Sequence, residues 1–174
     1  MTGQPAAFLD RDGVLIEDCG YPHRPEHLQL IPGAAAAVRR MKAAGYRTVI
    51  VTNQAGVARG LFSEDQMHAF NALLLARLAE DGAVIDAVYA APHHADAVDA
   101  RYRHPDHPDR KPNPGMLLRA VAEHDLDPAR SFIIGDRDTD IEAGARAGVE
   151  GFLFPGDDLD AFVRDVVLAG RDAA

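Results

Sequence analysis

Two acidic residues stand directly after a short apolar run near the amino terminus. The run is Ala6–Leu9, and Asp10, Asp12 and Gly13 follow it. Two carboxylates this close are not both ionised cheaply unless they share a proton or bind a cation. Mg²⁺ suits them because it takes oxygen ligands from one or two carboxylates and from a substrate phosphate. The pair favours magnesium-dependent chemistry, although a strand followed by an acidic turn gives the same pattern.

Polar residues also follow two later apolar runs. Thr52 comes after residues 48–51, and Asp136 comes after residues 131–135. Runs this short and apolar are typical of strands that are buried on both faces. If the strands are parallel, their carboxyl ends meet at one edge of a sheet, where ligands bind in open α/β folds. Asp10, Thr52 and Asp136 are therefore expected to lie together.

Alternating strands and helices must position these side chains. The sequence predicts strands at 6–9, 48–51, 84–90, 131–135 and 151–154. It predicts helices at 32–44 and 63–80, after an Asn113 cap with Pro114 as the first helical residue, after Asp136, and at 159–168. This order predicts an α/β fold with a doubly wound, mostly parallel, five-stranded, Rossmann-like sheet and helices on both faces. Loops 14–31 and 91–110 are too short for a folded cap domain, so one domain is expected over 1–174.

Composition and charge restrict the partners. The net charge is −9, which disfavours nucleic acid and anionic membrane surfaces as partners. No segment approaches the ~20 apolar residues of a membrane span. The single cysteine, Cys19, has no internal disulfide partner, which suits the reducing cytoplasm. We expect a cytoplasmic monomer that acts on a small molecule.

Two further residues complete the candidate site. Lys111 precedes a predicted helix, and Asp140 lies on the same helical face as Asp136. A threonine hydroxyl and a lysine ammonium both suit a phosphoryl group. One aspartate could attack phosphorus and form an aspartyl-phosphate, while another donates a proton to the leaving oxygen and later takes one from water. Mg²⁺ and Lys111 would offset the charge on the transferring oxygens.

The motifs and their order resemble the haloacid dehalogenase superfamily of phosphatases. They are Asp10-Arg11-Asp12-Gly13, Val51-Thr52-Asn53, Lys111-Pro112 and Gly135-Asp136-Arg137-Asp138-Thr139-Asp140. The resemblance implies that Asp10 is nucleophile and Mg²⁺ ligand, and that Asp12 is the acid/base and a metal ligand through its backbone carbonyl. It also implies that Thr52 and Lys111 hold the phosphoryl group, that Asp136 binds Mg²⁺ directly and that Asp140 supports the metal site.

The loops narrow the resemblance to heptose bisphosphate phosphatases, with histidinol-phosphate phosphatases as the nearest alternative. The stretch Gly56-Val57-Ala58-Arg59-Gly60 favours the heptose family. That resemblance implies hydrolysis of the C7 phosphate of D-glycero-D-manno-heptose 1,7-bisphosphate; another small phosphate ester is the alternative. The residues expected to touch substrate are Asp18, Cys19, Gly20, Tyr21, Asn53, Gln54, Ala55, Arg110 and Arg137.

One loop departs from both families, which usually bind a structural zinc through Cys-x-His and Cys-x-Cys before the lysine. Here the corresponding segments read Ala91-Pro92-His93 and His107-Pro108-Asp109, so all three cysteines are replaced. Imidazole and carboxylate groups can bind zinc. We expect a metal-free loop held by prolines and hydrogen bonds; a weak zinc site at His93, His107 and Asp109 is the alternative.

A phospho-receiver signalling domain is the competing hypothesis from another class. Such domains also combine acidic Mg²⁺ ligands, threonine and lysine on a parallel five-stranded sheet. Their phosphoacceptor aspartate lies on a mid-chain strand, whereas the third predicted strand here ends at Ala90-Ala91. The sequence therefore favours the phosphatase.

Overall fold

Five parallel strands form one sheet in the order β3-β2-β1-β4-β5. The computed structural model describes residues 3–171, so both ends of the predicted domain 1–174 lie outside the described residues. The strands are β1 (Ala6–Leu9), β2 (Arg47–Asn53), β3 (Ala87–Ala91), β4 (Phe132–Gly135) and β5 (Glu150–Leu153). The prediction of a doubly wound parallel sheet is confirmed.

Helices cover both faces of the sheet because side chains alternate between faces along each strand. Ala7 and Leu9 of β1 pack into one apolar cluster, and Ala6 and Phe8 pack into another on the opposite face. The helices are α1 (Ala34–Ala43), α2 (Ala55–Ala58), α3 (Glu64–Glu80), α4 (Gly115–His124), α5 (Asp138–Arg146) and α6 (Leu159–Phe162), which a π-turn (Val163–Val167) continues. Helices α1, α3 and α6 share the first cluster, whereas α4 and α5 share the second.

The predicted start of the third strand, residue 84, was wrong because a side chain takes over part of the strand pairing. The backbone N–H of Thr48 donates to Asp86 Oδ2 at 2.8 Å, and the Thr48 hydroxyl donates to the Val84 carbonyl at 2.7 Å. The Asp86 carboxylate also accepts from Lys42 Nζ. The ladder with β2 therefore begins only at Ala87.

The predicted cap of α4 was also wrong. Pro114 occupies the cap position and the helix begins at Gly115. The Asn113 side chain is engaged elsewhere: its Nδ2 donates to Asp106 Oδ1 at 2.6 Å and to the His107 carbonyl at 3.0 Å. Asn113 therefore ties the preceding loop together instead of capping the helix.

The segments around the sheet edge are loops. In the range 3–171, only short 3₁₀ turns interrupt the chain between β1 and α1 and between β3 and α4, so no cap domain is inserted there. The site is therefore open, as predicted. None of the helices in that range has the length and apolar character needed to cross a bilayer.

Candidate active site

The site lies where the strand order reverses. Strand β1 is central and pairs with both β2 and β4. The chain then moves outward on one side to β3 and on the other to β5. Asp10, Thr52 and Asp136 stand at the carboxyl ends of these three central strands, which is the crevice where open α/β sheets bind ligands.

Lys111 connects the carboxylates at the base of this crevice. Its ammonium donates to Asp10 Oδ1 at 3.0 Å and to the Val51 carbonyl at 2.8 Å, and it lies 2.6 Å from Asp140 Oδ1. Lys111 is only 3% exposed. Although burial opposes protonation, the charges of Asp10 and Asp140 raise the pKa of Lys111. The cluster thus contains a cation that stays charged.

The pKa values of two aspartates in the cluster are raised. Burial raises the pKa of Asp10 to about 7; Lys111 opposes this rise, and the charges of Asp140 and Asp12 add to it. Burial and the charge of Asp140 also raise the pKa of Asp136. Both pKa values are raised because the charge of Lys111 does not offset the charges of several buried carboxylates.

Two glycines allow these carboxylates to approach the backbone. Gly13 has φ = +82°, and a Cβ at that position would lie 2.2 Å from Asp136 Oδ2. A Cβ at Gly135 would lie 2.1 Å from the Cβ of Asp140. Any side chain at either position would push a carboxylate out of the cluster, so Gly13 contributes close packing as well as a turn.

The donor set fits a small divalent cation. Asp10, Asp136 and Asp140 each offer an oxygen, and these oxygens lie within 4.8 Å of one another. Within residues 3–171, Asp136 Oδ1 is buried without a hydrogen-bond partner. A hard cation would satisfy that oxygen and offset the charge that raises both aspartate pKa values. Asp12 lines the same cavity.

The polar residues at the end of β2 and directly after it are largely engaged with the protein. Asn53 Nδ2 donates to the Lys111 carbonyl, and its Oδ1 accepts from the Lys111 N–H, both at 3.0 Å. Gln54 is 2% exposed and donates through Nε2 to Thr52 Oγ1 at 2.8 Å. Asn53 and Gln54 were predicted to touch substrate; both line the cavity, and their side chains also hold Lys111 and Thr52 in place.

A cavity of about 480 Å³ opens from this cluster. Its walls include most residues predicted to touch substrate: Asp18, Gly20, Tyr21, Asn53, Gln54, Ala55, Arg110 and Arg137. Cys19 is the exception, because it is exposed and is not part of the wall. The predicted contact between Cys19 and substrate therefore has no support from its position.

Arginines form the outer part of the cavity. In the described part of the chain, Arg110 Nη1 is buried without a hydrogen-bond partner. Burial and the charges of Arg59 and Arg137 lower the pKa of Arg110. The two neighbouring guanidinium groups are therefore close enough to repel Arg110 electrostatically. Arg137 pairs with Asp18 at 3.3 Å. Arg59 was missed in the sequence analysis, although its place in the Gly-Val-Ala-Arg-Gly stretch was a usable signal.

The candidate zinc residues do not converge. The rings of His93 and His107 stack in parallel with centroids 3.7 Å apart. His107 Nδ1 accepts from the Asp109 N–H at 3.1 Å, and the Asp109 carboxylate pairs with Arg119 at 3.1 Å. For residues 3–171, the cluster of Asp10, Asp136 and Asp140 is the sole group of three or more ligand side chains close enough to share an ion.

Known proteins resemble this chain in sequence and in structure. A family model described as "Haloacid dehalogenase-like hydrolase" matches residues 7–102, and a second HAD-like model matches residues 109–160. The D-glycero-beta-D-manno-heptose-1,7-bisphosphate 7-phosphatase of Rhodopseudomonas palustris is 46% identical over 98% of this chain and 94% of its own length. A D-glycero-D-manno-heptose-1,7-bisphosphate 7-phosphatase of Thermosynechococcus vestitus is 48% identical over 86% of this chain and 78% of its own.

A solved structure extends the comparison. The D,D-heptose 1,7-bisphosphate phosphatase of B. bronchiseptica, crystallised with magnesium and phosphate, matches with a TM-score of 0.78 and 29% identity. The match covers 95% of this chain and 99% of that one. The likeness therefore extends over nearly the whole length of both chains.

Proposed function

The chain belongs to the haloacid dehalogenase-like hydrolases, and from that starting point we propose that it removes the C7 phosphate of D-glycero-D-manno-heptose 1,7-bisphosphate. It is a phosphoric monoester hydrolase, and this class excludes the receiver-domain hypothesis. The observation that carries the substrate proposal is the presence of two cationic regions in one cavity. Lys111 lies at its base, and Arg59, Arg110 and Arg137 lie on its outer wall. A bisphosphate supplies one phosphate for each region.

The reaction proceeds in two half-reactions at Asp10. The Asp10 carboxylate attacks phosphorus, and the bond from phosphorus to the sugar oxygen breaks while Asp12 donates a proton to that oxygen. Asp12 then takes a proton from water as the water oxygen attacks the aspartyl-phosphate, which releases inorganic phosphate and restores Asp10. Thr52 and Lys111 bind the non-bridging oxygens, and Asn53 and Gln54 hold those two residues in place.

We propose Mg²⁺ as the cofactor, held by the Asp10 and Asp136 side chains and the Asp12 backbone carbonyl. When bound, it offsets negative charge between these carboxylates and the substrate phosphate. Asp140 supports the site indirectly, because it pairs with Lys111 and accepts from the Arg137 N–H at 3.1 Å. The unpartnered Asp136 Oδ1 and the raised pKa of Asp10 support this assignment.

A panel of phosphate esters tests the substrate. We expect kcat/KM for one anomer of the heptose bisphosphate to exceed that for histidinol phosphate by at least about 100-fold, since each charge-assisted contact contributes about 1.5–3 kcal/mol. Phosphate release is measured for both anomers, histidinol phosphate and p-nitrophenyl phosphate, and Asp10→Asn protein reports contaminating phosphatases. A preference for histidinol phosphate would transfer the assignment to the neighbouring family.

Arg110 and Arg59 are expected to bind the phosphate that is not hydrolysed. Arg110→Ala should lower kcat/KM for the bisphosphate about 100-fold, because a charge-assisted, bidentate contact is lost. The loss on p-nitrophenyl phosphate should stay below about 5-fold, since that ester has no second phosphate to contact. Arg59→Ala should give a smaller loss with the same selectivity.

The matched control for this prediction is Arg164→Ala. Arg164 is exposed and pairs with its neighbour Asp165, so this variant removes one positive charge that is not part of the cavity wall. It should retain wild-type kinetics on both esters. Equal losses on the two esters in Arg110→Ala protein would show that Arg110 serves the reacting phosphate instead.

The cellular setting is part of the same proposal. We propose that the enzyme acts as a monomer in the cytoplasm, where Cys19, which is exposed, stays reduced. The substrate is a small phosphorylated sugar, in keeping with the chain's net charge of −9, which disfavours nucleic acid as a partner. Light scattering of the purified protein measures the oligomeric state.

A further inference from the structure

The reaction described above leaves Arg11, a completely buried arginine beside the acid/base, without a role. Arg11 is 0% exposed and is among the largest fully buried side chains of residues 3–171. It does not line the cavity, whereas its neighbour Asp12 does. Burying a guanidinium is expensive unless its hydrogen bonds are satisfied. The contacts of Arg11 therefore indicate which groups its burial serves to hold.

The guanidinium joins four parts of the site. Nε donates to Asp12 Oδ1 at 2.7 Å and Nη2 donates to Asp12 Oδ2 at 3.2 Å, so the pair is bidentate. Nη2 also donates to the Pro22 carbonyl at 3.0 Å and to Gln54 Oε1 at 3.1 Å. Nη1 donates to Asn71 Oδ1 on α3 at 2.8 Å. The group lies 4.8 Å from the centre of the Phe70 ring.

We propose that Arg11 is the positioning residue for Asp12. The fork holds both carboxylate oxygens and so fixes the plane in which Asp12 meets the leaving oxygen. Gln54 extends the same network, because its Oε1 accepts from Arg11 while its Nε2 donates to Thr52. The orientation of the acid/base is thereby coupled to the threonine that holds the phosphoryl group. This inference rests on the proposed two-step phosphatase reaction.

The leaving group provides a readout that a purely structural role would not change. An alkoxide leaves slowly without a proton, whereas p-nitrophenolate leaves without help. A misplaced Asp12 therefore penalises alkyl esters selectively in kcat/KM, which reports the half-reaction in which the alcohol departs. Its second duty, activating water, is the same for every ester because the aspartyl-phosphate is the same.

Arg11→Lys is the test variant, since lysine keeps the charge and lacks the planar fork. We expect kcat/KM to fall about 100-fold for the heptose bisphosphate and less than about 5-fold for p-nitrophenyl phosphate, in line with the usual contribution of general acid catalysis. In an Asp12→Asn background, Arg11→Lys should leave the ratio between the two esters unchanged, because Arg11 acts through Asp12.

Two further variants separate positioning from folding. Phe70→Leu removes the ring beside the guanidinium and keeps every donor to Asp12. Any loss of kcat/KM should therefore be equal for the heptose bisphosphate and p-nitrophenyl phosphate. Asn71→Ala removes one guanidinium anchor that does not touch Asp12, and it should shift the ester ratio in the same direction as Arg11→Lys. It replaces Arg11→Lys as the test if thermal unfolding shows that the lysine variant is unfolded.

The outcomes distinguish this proposal from the proposed function. An unchanged ester ratio in folded Arg11→Lys protein, with an active wild type, overturns the positioning role and leaves the phosphatase intact. A ratio that shifts equally in the Asp12→Asn background also overturns it, because Arg11 would then act independently of Asp12. A wild type that hydrolyses neither ester overturns both.

Discussion

Asp10→Asn protein is expected to lose turnover by at least about 10⁴-fold, as removal of a nucleophile does in other covalent mechanisms. The amide keeps the shape of the side chain, but its uncharged oxygen is a poor nucleophile and a weak metal ligand. Phosphate release from the heptose bisphosphate and from p-nitrophenyl phosphate measures the loss. Asp165→Asn, which removes an exposed carboxylate paired with Arg164, is the matched control and should stay active.

The same variant should remain folded without loss of stability. Burial raises the pKa of Asp10 to about 7 from 3.8, so its ionised form destabilises the metal-free native state increasingly as pH rises between those values. Asparagine removes this destabilisation because it does not ionise. Lys111 retains Asp140 and the Val51 carbonyl as partners. Without metal, Tm of the variant should equal or exceed that of the wild type at pH 8, and the difference should disappear near pH 4. A large drop in Tm, or near-normal turnover, would contradict the assignment of Asp10.

The positions of the strands along the chain could be predicted because each is a short, mostly apolar run, and a polar residue ends or directly follows three of them, β1, β2 and β4. Strands β1, β2, β4 and β5 were placed to within about two residues, as sequence patterns allow. The start of β3 was missed because the residue at which pairing with β2 begins depends on a long-range contact. Asp86 replaces part of the ladder only because Thr48 and Lys42 meet it, and no local pattern encodes that meeting.

Asp10, Thr52 and Asp136 were predictable as a group for a similar reason, since parallel strands bring their ends together whatever their loops do. Lys111 and Asp140 were placed beside them by the helices that follow, because Lys111 precedes one helix and Asp140 lies on the same helical face as Asp136. The directions of the side chains after those ends were not predictable. The side chains of Asn53 and Gln54 point at Lys111 and Thr52, and sequence spacing alone does not show that direction. Arg11 was recognised only as part of a motif, because a charged residue between two aspartates normally suggests a solvated turn.

The loop before Lys111 carries the residues that would bind a second metal, zinc. His93 and His107 stack in parallel, and burial and the charge of His107 lower the pKa of His93. Protein contacts hold the loop in place. Asn113 donates to the His107 carbonyl at 3.0 Å, and the Gly115 N–H donates to the Pro108 carbonyl at 2.9 Å. We expect these bonds to keep the loop closed without thiolate ligands.

Chelation is therefore expected to abolish turnover without unfolding the protein. Removing divalent cations leaves the charge of Asp10, Asp136 and Asp140 to be offset by Lys111 and, at Asp136, by Arg137, and added Mg²⁺ should restore activity fully. Protein purified without added metal should contain less than about 0.1 zinc per chain, because zinc held by imidazole and carboxylate groups alone is readily lost when its ligands do not converge. Elemental analysis and thermal unfolding, each with and without EDTA, provide the measurement.

A double variant, His93→Ala with His107→Ala, is the matched control for the loop. It removes both imidazoles and leaves the magnesium site intact, so its dependence on Mg²⁺ should equal that of the wild type. The opposite result is equally specific. About one zinc per chain in the wild type, absent from the double variant and lost together with thermal stability on chelation, would make His93, His107 and Asp109 ligands of a structural site. The loop would then rearrange on binding, because in the structure the Asp109 carboxylate pairs with Arg119.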